Sequence, residues 1–253
     1  MNRSDAILKI RQRLDAGGQS VGSWMQIPDS SVAEIIGQAG YDWVAVDLEH
    51  GAIALHQLPD LFRALEFGGT LPIARLARGG MRECKEALDA GAGGVIVPMI
   101  ETALQLTQVR DACRWPPAGK RGVGFSRANL FGKHFDSYSQ EAQAPLLVAM
   151  IENVRAVNNL VEILEVDGLD AILIGPYDLS ASIGLTGKFT HPQFLEMMDR
   201  IRELGCNKKI PVGIHVVQPS PEELRQRIDE GYQFLAYSVD AVMLRSVAEH
   251  WRS

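Results

Sequence analysis

Cysteine is scarce in these 253 residues: Cys84, Cys113 and Cys206 are odd in number, far apart and never spaced as CxxC. That argues against both a disulfide framework and a cysteine metal site, so a reducing cytoplasm is the expected compartment. Positive charge is short as well, with 25 Lys and Arg against 31 Asp and Glu for a net charge of −6 and no basic cluster. A phosphate backbone finds little to hold there, and no nucleic acid partner is expected. Apolar runs long enough to span a bilayer, roughly 20 residues, are missing too. The opening stretch MNRSDAILKIRQRLDAGG mixes charges through its apolar positions, as a short amphipathic helix does and a signal peptide does not. The expectation is a soluble chain with no membrane partner.

What the sequence has is alternation. Eight short apolar runs recur: VGSWMQI (21–27), WVAVDLE (43–49), LPIARLA (71–77), GVIVPMI (94–100), LLVAMIE (146–152), DAILIGP (170–176), PVGIHVV (211–217) and FLAYSV (234–239). Stretches of helical period lie between them, among them SSVAEIIGQAG, HQLPDLFRALEFG, MRECKEALDAG, PEELRQRIDEG and DAVMLRSVAEHWR. Strands too apolar to have a wet face call for a parallel sheet covered by helices. Eight such units in about 250 residues predict a (β/α)8 TIM barrel, a single α/β domain over 1–253. A doubly wound sheet would carry a GxGxxG turn after its first strand, and IPDSSVAEI stands there instead. Glycines before strands in QAGYDW, DAGAGG and DEGYQF read as helix caps and support one continuous barrel. The stretch 115–144 is too long and too rich in Gly and Pro for an ordinary connection, and is expected to lie over one mouth of the barrel.

Three further absences narrow the chemistry. No lysine falls within a strand candidate, which disfavours imine catalysis of the barrel-aldolase kind. The six histidines, at positions 50, 56, 134, 191, 215 and 250, lack ligand spacing for a zinc site built of histidines. VVQPSPEE and SVDAVM follow the last two strands where a glycine-rich phosphate cradle would sit, so a phosphorylated substrate loses weight.

The strand ends, which form the active face of such a barrel, are polar instead. Strand two ends in Asp47, Glu49 and His50, strand three carries Arg75, strand four runs into Glu101, strand five ends in Glu152, strand six runs into Asp178, and strand seven carries His215. Glu152 and Asp178 come from adjacent strands, and two carboxylates with waters and a chelating substrate can complete an octahedron around a hard dication. The plainer alternative is that both begin helices, where acidic residues favour the dipole. His50 has the near-neutral pKa that suits proton transfer, with a structural histidine as its alternative. Arg75 offers a planar fork for a carboxylate or keto oxygen, or else forms a buried ion pair with Asp47 or Glu49.

VDLEHG (46–51), PIARL (72–76), VPMIE (97–101), PPAGKRGVG (116–124), AMIEN (149–153) and IGPYDLSASIG (174–184) together resemble the HpcH/HpaI aldolase family. These are metal-dependent class II pyruvate aldolases, including 4-hydroxy-2-oxoheptanedioate and 2-keto-3-deoxy sugar acid aldolases. The resemblance spans nearly the whole chain and implies reversible cleavage of a 4-hydroxy-2-oxo acid to pyruvate and an aldehyde. It implies that Glu152 and Asp178 bind Mg²⁺ or Mn²⁺, with Co²⁺ or Zn²⁺ as alternatives. Arg75 would hold the keto or enolate oxygen, and the Gly175, Pro176, Tyr177, Asp178 turn would receive the substrate carboxylate on its N–H groups. His50, oriented by Asp89 and supported by Asp47 and Glu49, would move the proton. A cytoplasmic homohexamer, a trimer of dimers with exchanged last helices, is implied as well.

This sequence departs from the family pattern where Met150 replaces the usual glutamine, where His215 replaces an aliphatic residue, and in a shorter GVGFSRANLFG loop. Trp24 and His215 are therefore expected to choose the aldehyde. Two alternatives stand beside this reading. One is a CoA-ester lyase resembling the citrate lyase β subunit or malyl-CoA lyase, whose chains usually carry extra C-terminal structure. The other is a catalytically silent barrel that binds a 2-oxo acid.

Overall fold

The computed structural model describes residues 1–252. Its eight strands are β1 Ser20–Met25, β2 Trp43–Asp47, β3 Leu71–Arg75, β4 Gly94–Val97, β5 Leu146–Ile151, β6 Ala171–Ile174, β7 Val212–Val216 and β8 Phe234–Val239. Each pairs in parallel with the next, and β8 closes onto β1, so the expected (β/α)8 barrel is present. The helices are α1 Arg3–Asp15, α2 Ser30–Gly37, α3 Leu58–Phe67, α4 Met81–Asp89, α5 Ala103–Cys113 and α6 Phe135–Glu141. They continue as α7 Val154–Asn158, α8 Leu160–Leu164, α9 Pro176–Ala181, α10 Pro192–Lys208, α11 Pro221–Asp229 and α12 Asp240–Glu249. Among the described residues no helix is long and apolar enough to cross a membrane.

The period of two along each strand divides the core into two layers. Val44 and Val46 point outward into the shell beneath the helices, whereas Trp43 and Ala45 point into the barrel. Inside, Trp43 stacks on Phe234 with centroids 4.4 Å apart. Gly22 makes room for this pair, since a Cβ there would come within 2.1 Å of the Trp43 ring. Helix α1 closes the N-terminal mouth by adding Ile7, Ile10 and Leu14 to the interior cluster.

The stretch 115–144 joins α5 to β5, and an αβ connection lies at the N-terminal end of a barrel. It contains a 3-10 turn and α6, and it packs against α1, where Arg3 bonds Glu141 at 2.8 Å. The mouth it borders is therefore the one opposite the active face.

Candidate active site

Continuing the inward alternation past the last apolar layer predicts which side chains reach the C-terminal mouth. On β2 the inward series Trp43, Ala45 ends in Asp47; on β3 Leu71, Ile73 ends in Arg75; on β5 Leu146, Val148, Met150 ends in Glu152. Asp47 and Arg75 are register partners, and Arg75 Nη1 donates to Asp47 Oδ1 at 3.1 Å. A cavity of 350 Å³ opens at this end, lined by Trp24, Gln26, Asp47, His50, Arg75, Met150, Glu152, His215 and the turn from Gly175 to Asp178.

Asp47 is the structural centre of the site. Its Oδ2 accepts from Trp24 Nε1 at 3.1 Å and Gln26 Nε2 at 3.0 Å, and its Oδ1 accepts from the amides of Glu49 and His50. Burial pushes the carboxyl up, but Gln26, Arg75 and the two amides together outweigh it and hold it below the usual range. The strand-to-loop turn that carries His50 is thus fixed by an ionised Asp47. The His50 side chain itself is exposed on the cavity wall.

Glu49 lies against Arg75 Nη2 as an ion pair without hydrogen-bond geometry. Burial, with Asp47 and Asp178 adding to it, raises the Glu49 carboxyl against the opposing pull of Arg75 and His50. Glu152 is only 3% exposed; burial raises its carboxyl, and Glu49 and Asp178 push the same way. Its Oε2 accepts the Met99 amide at 2.7 Å, while Oε1 stands 4.0 Å from Arg75, beyond hydrogen-bond reach. Three carboxylates, Asp47, Glu49 and Glu152, therefore lie within 4.0 Å of one guanidinium, and Asp178 acts on Glu49 and Glu152 through its charge. Carboxylate oxygens are the donors that a hard divalent cation takes. Among the described residues no group of three or more His, Cys, Asp or Glu side chains is placed to hold a metal ion.

Gly175 is needed beneath Glu152, because a Cβ there would come within 2.7 Å of Glu152 Cγ. It caps α9, with Pro176 opening the helix and Asp178 exposed in its first turn. The Tyr177 and Asp178 amides belong to the first turn of that helix, whose N–H groups have no intrahelical acceptor.

Most of the residues singled out from the sequence converge here, with corrections. Asp89 does not orient His50 within the chain. It ends α4 at the N-terminal end of the barrel, 3.9 Å from Arg121 Nη1, because a helix that follows a barrel strand runs back to the opposite end. Burial raises its carboxyl there against Arg121 and Lys85. Glu101 turns away to Asn153 at 2.5 Å and Arg155 at 3.1 Å. Arg75 forms the buried ion pair with Asp47 and Glu49, and its buried Nε has no hydrogen-bond partner. Trp24 is tied to the carboxylate group through Asp47, and stacks on His215 with centroids 5.0 Å apart.

Sequence reasoning missed Gln26, Met99 and Asp240. Asp240 accepts from the amides of Gln26 and Ile27 at 2.9 and 2.8 Å and so ties the end of β1 to the end of β8. Its signal was the acid directly after the last apolar run. Met99 sits at φ 53°, which aims its amide at Glu152, and no glycine marked that position.

The family model described as HpcH/HpaI aldolase/citrate lyase matches residues 20–246. The hydroxypyruvate/pyruvate aldolase of Roseobacter denitrificans is 36% identical over 96% of this chain and 96% of its own. The 2-keto-3-deoxy-L-rhamnonate aldolase of Escherichia coli is 34% identical over 92% of this chain and 88% of its own. A crystal structure of an HpcH/HpaI aldolase/citrate lyase family protein from Burkholderia cenocepacia superposes with a TM-score of 0.89 at 31% identity, covering 97% of this chain and 99% of that one.

Proposed function

This chain belongs to the HpcH/HpaI aldolase/citrate lyase family and is a carbon–carbon lyase, and from that premise we propose that it cleaves a 4-hydroxy-2-oxo acid reversibly to pyruvate and an aldehyde, with a divalent ion held by Glu152 and Asp178. The observation that carries the reading is the buried Glu152, with Oε1 free of hydrogen bonds, beside Asp178 and Arg75. Three carboxylates on one guanidinium, with Asp178 acting on two of them, are costly to leave without a further cation.

Each group in the site has a task in this reaction. A bound Mg²⁺ or Mn²⁺, or Co²⁺ or Zn²⁺ in their place, supplies Lewis-acid stabilisation of the negative charge that gathers on the keto oxygen. Arg75, held in place by Asp47 and Glu49, adds its positive charge beside the same oxygen. The first-turn amides of α9 at Tyr177 and Asp178 receive the substrate carboxylate, with Gly175 and Pro176 shaping the turn. In cleavage, the C4 hydroxyl loses its proton, the C3–C4 bond breaks as the aldehyde carbonyl forms, and C3 of the resulting enolate takes a proton to give pyruvate. His50 faces the cavity with an exposed imidazole and is the group assigned to carry that proton. Every lysine among the described residues lies outside the strands, which supports a mechanism without an imine.

The test is hydrogen–deuterium exchange at the pyruvate methyl, followed by NMR. Exchange that requires a divalent ion and stops on chelation, with no adduct trapped by borohydride, is the expected result. Full exchange after exhaustive chelation would overturn the metal assignment, and a stable borohydride adduct would overturn the absence of an imine.

The reading extends to a homohexamer with exchanged last helices. Its support is that α12 buries only Asp240 and leaves the apolar Leu244 and Val247 exposed, a face open to a neighbouring copy. Light scattering at the mass of a hexamer is expected, and a stable monomer would remove this part.

A further inference from the structure

Gln26 is the inward position that follows Trp24 on β1, and it stands half-buried on the cavity wall with no charge of its own. Its Nε2 donates to Asp47 Oδ2 at 3.0 Å; an ionised carboxylate only accepts, so the amide nitrogen is the end that must face it. Of the groups that hold the Asp47 carboxyl down against burial, Gln26 acts most strongly, ahead of Arg75. The backbone of Gln26 is fixed in turn from β8. The β1–β8 register shifts from Gly22 opposite Ala236 to Trp24 opposite Val239, an extra residue on β8 where Ser238 has φ 56°. Asp240 follows at once, beside the two amides that come after Met25. It is 4% exposed; Oδ1 accepts the Gln26 amide at 2.9 Å and that of Ala241 at 2.7 Å, and Oδ2 accepts the Ile27 amide at 2.8 Å. A carboxylate supplies one oxygen to each of the two β1 amides, which lie past the end of the strand ladder. Gly51 closes on the same backbone, since a Cβ there would come within 3.6 Å of Gln26 Cα and 3.0 Å of the Asp47 carbonyl oxygen. The loop that carries Glu49 and His50 therefore rests beside Gln26.

Resting on the aldolase reading above, we propose that Gln26 and Asp240 are positioning residues for the reaction: Asp240 clamps the end of β1, the clamp aims Gln26 at Asp47, and Asp47 sets both Arg75 and the turn that carries His50. The contacts run from Asp240 to Gln26 to Asp47, and from Asp47 to Arg75 Nη1 and to the His50 amide, each at 3.1 Å. Neither Gln26 nor Asp240 has to touch a reacting atom. Within one chain Asp89 lies at the opposite end of the barrel, so this chain of bonds is the support that the His50 turn has there.

Gln26→Met keeps the length of the side chain and removes its donor. Exchange at the pyruvate methyl with Mn²⁺ present should fall by about 10- to 10²-fold, the scale of a misplaced catalytic group, while Mn²⁺ affinity changes little. The Asp47 carboxyl carbon, followed by ¹³C NMR without pyruvate or metal, should titrate at higher pH than in the wild type, because a donor to the charged form is gone. Arg75 from β3, Glu49 and His50 from its own loop, Glu152 across Arg75 and His215 from β7 also bear on Asp47, and both proteins keep all of them. Gln26→Glu supplies a donor only when protonated, so its exchange rate relative to that of Gln26→Met should rise as pH falls. Asp240→Asn leaves one oxygen for two amides and should slow exchange too. The double variant with Gln26→Met should be no slower than the slower single one, since both act through one bond. In the wild type the Gln26 and Ile27 amide hydrogens should exchange slowly, and rapid exchange would overturn the clamp even if Asp240→Asn failed to fold. Unchanged methyl exchange in Gln26→Met, an unmoved Asp47 titration, no rise for Gln26→Glu at lower pH, or losses that multiply in the double variant would each overturn the proposal. Absence of methyl exchange in the wild type with Mn²⁺ would instead overturn the aldolase reading, and the Asp47 titration would still decide whether Gln26 holds that carboxylate.

Discussion

The two ends of the barrel are built from the same eight strands and differ in how their charges are matched. At the N-terminal end Arg11 holds Asp170 through two bonds of 2.6 and 3.0 Å, Arg3 bridges Glu66 and Glu141, and Ile7, Ile10 and Leu14 fill the mouth. At the C-terminal end one guanidinium faces three carboxylates with a fourth, Asp178, nearby, and burial holds both Glu49 and Glu152 above the usual range. Matched charges and an apolar plug stabilise; unmatched buried carboxylates do not. The excess negative charge makes sense where a cation and an oxyanion-forming substrate are to be bound, and the closed end supplies the stability that the open end forgoes.

Substitutions at the two ends should separate these roles. The largest effect is expected from Glu152→Ala, which removes the buried ligand: pyruvate methyl exchange should fall by about 10⁴-fold or more, several kcal/mol of charge stabilisation being lost. Calorimetric titration with Mn²⁺ should show binding lost in parallel. Next comes His50→Ala. Exchange should slow by about 10²- to 10⁴-fold while Mn²⁺ affinity changes little, because the imidazole is assigned to the proton and the ion to other groups. Unchanged exchange would make His50 structural and move proton transfer elsewhere in the site.

Ile10→Ala tests the opposite end. Ile10 is 3% exposed at the base of the barrel interior, so truncation should cost about 2–5 kcal/mol by denaturant unfolding. Steady-state kinetics of the folded fraction should be unchanged. A loss of exchange comparable to that of His50→Ala would mean that the two ends are mechanically coupled and that their division of labour is wrong.

How far the sequence spoke differs between the ends as well. The strands were legible because each is buried on both faces, which turns a parallel strand into an unbroken apolar run. Asp47, Arg75 and Glu152 were legible because each interrupts or ends such a run at an inward position. Gln26, Met99 and Asp240 were not, since their roles arise from contacts between the ends of β1 and β2, of β1 and β8, or of β4 and β5 that no local pattern records. The 115–144 stretch was conspicuous for its composition, yet which mouth it borders depends on its being an αβ and not a βα connection. Asp89 illustrates the same limit: the resemblance assigned it to His50, and the direction of α4 sends it to the far end of the chain's own barrel.

Within the mouth itself, His215 is the counterpoint to the carboxylates, a titratable group kept neutral instead of charged, and its pH dependence gives the smallest predicted effect. Burial is the main cause of its low pKa; Asp47 and the Ser238 carbonyl oppose it and Arg75 adds to it. Because the folded value, about 4, lies below the ordinary 6.5, the unfolded chain takes up the proton first. The stability that goes with the neutral ring is therefore complete above the unfolded pKa and is lost as pH falls from there toward the folded value. A shift of this size corresponds to at most about 3 kcal/mol, less where water in the cavity screens the ring. Asp47, Glu49 and Glu152 also titrate in acid, so the wild-type curve alone cannot isolate one histidine. The comparison with His215→Asn can, since asparagine does not titrate and leaves the carboxylates in place. Unfolding free energies measured at pH 7 and pH 4.5 should drop more for the wild type than for the variant. Equal drops would mean that the ring is as easily protonated in the folded chain as in the unfolded one, and the acceptor side of the mouth would then be no drier or more neutral than the carboxylate side it has been contrasted with.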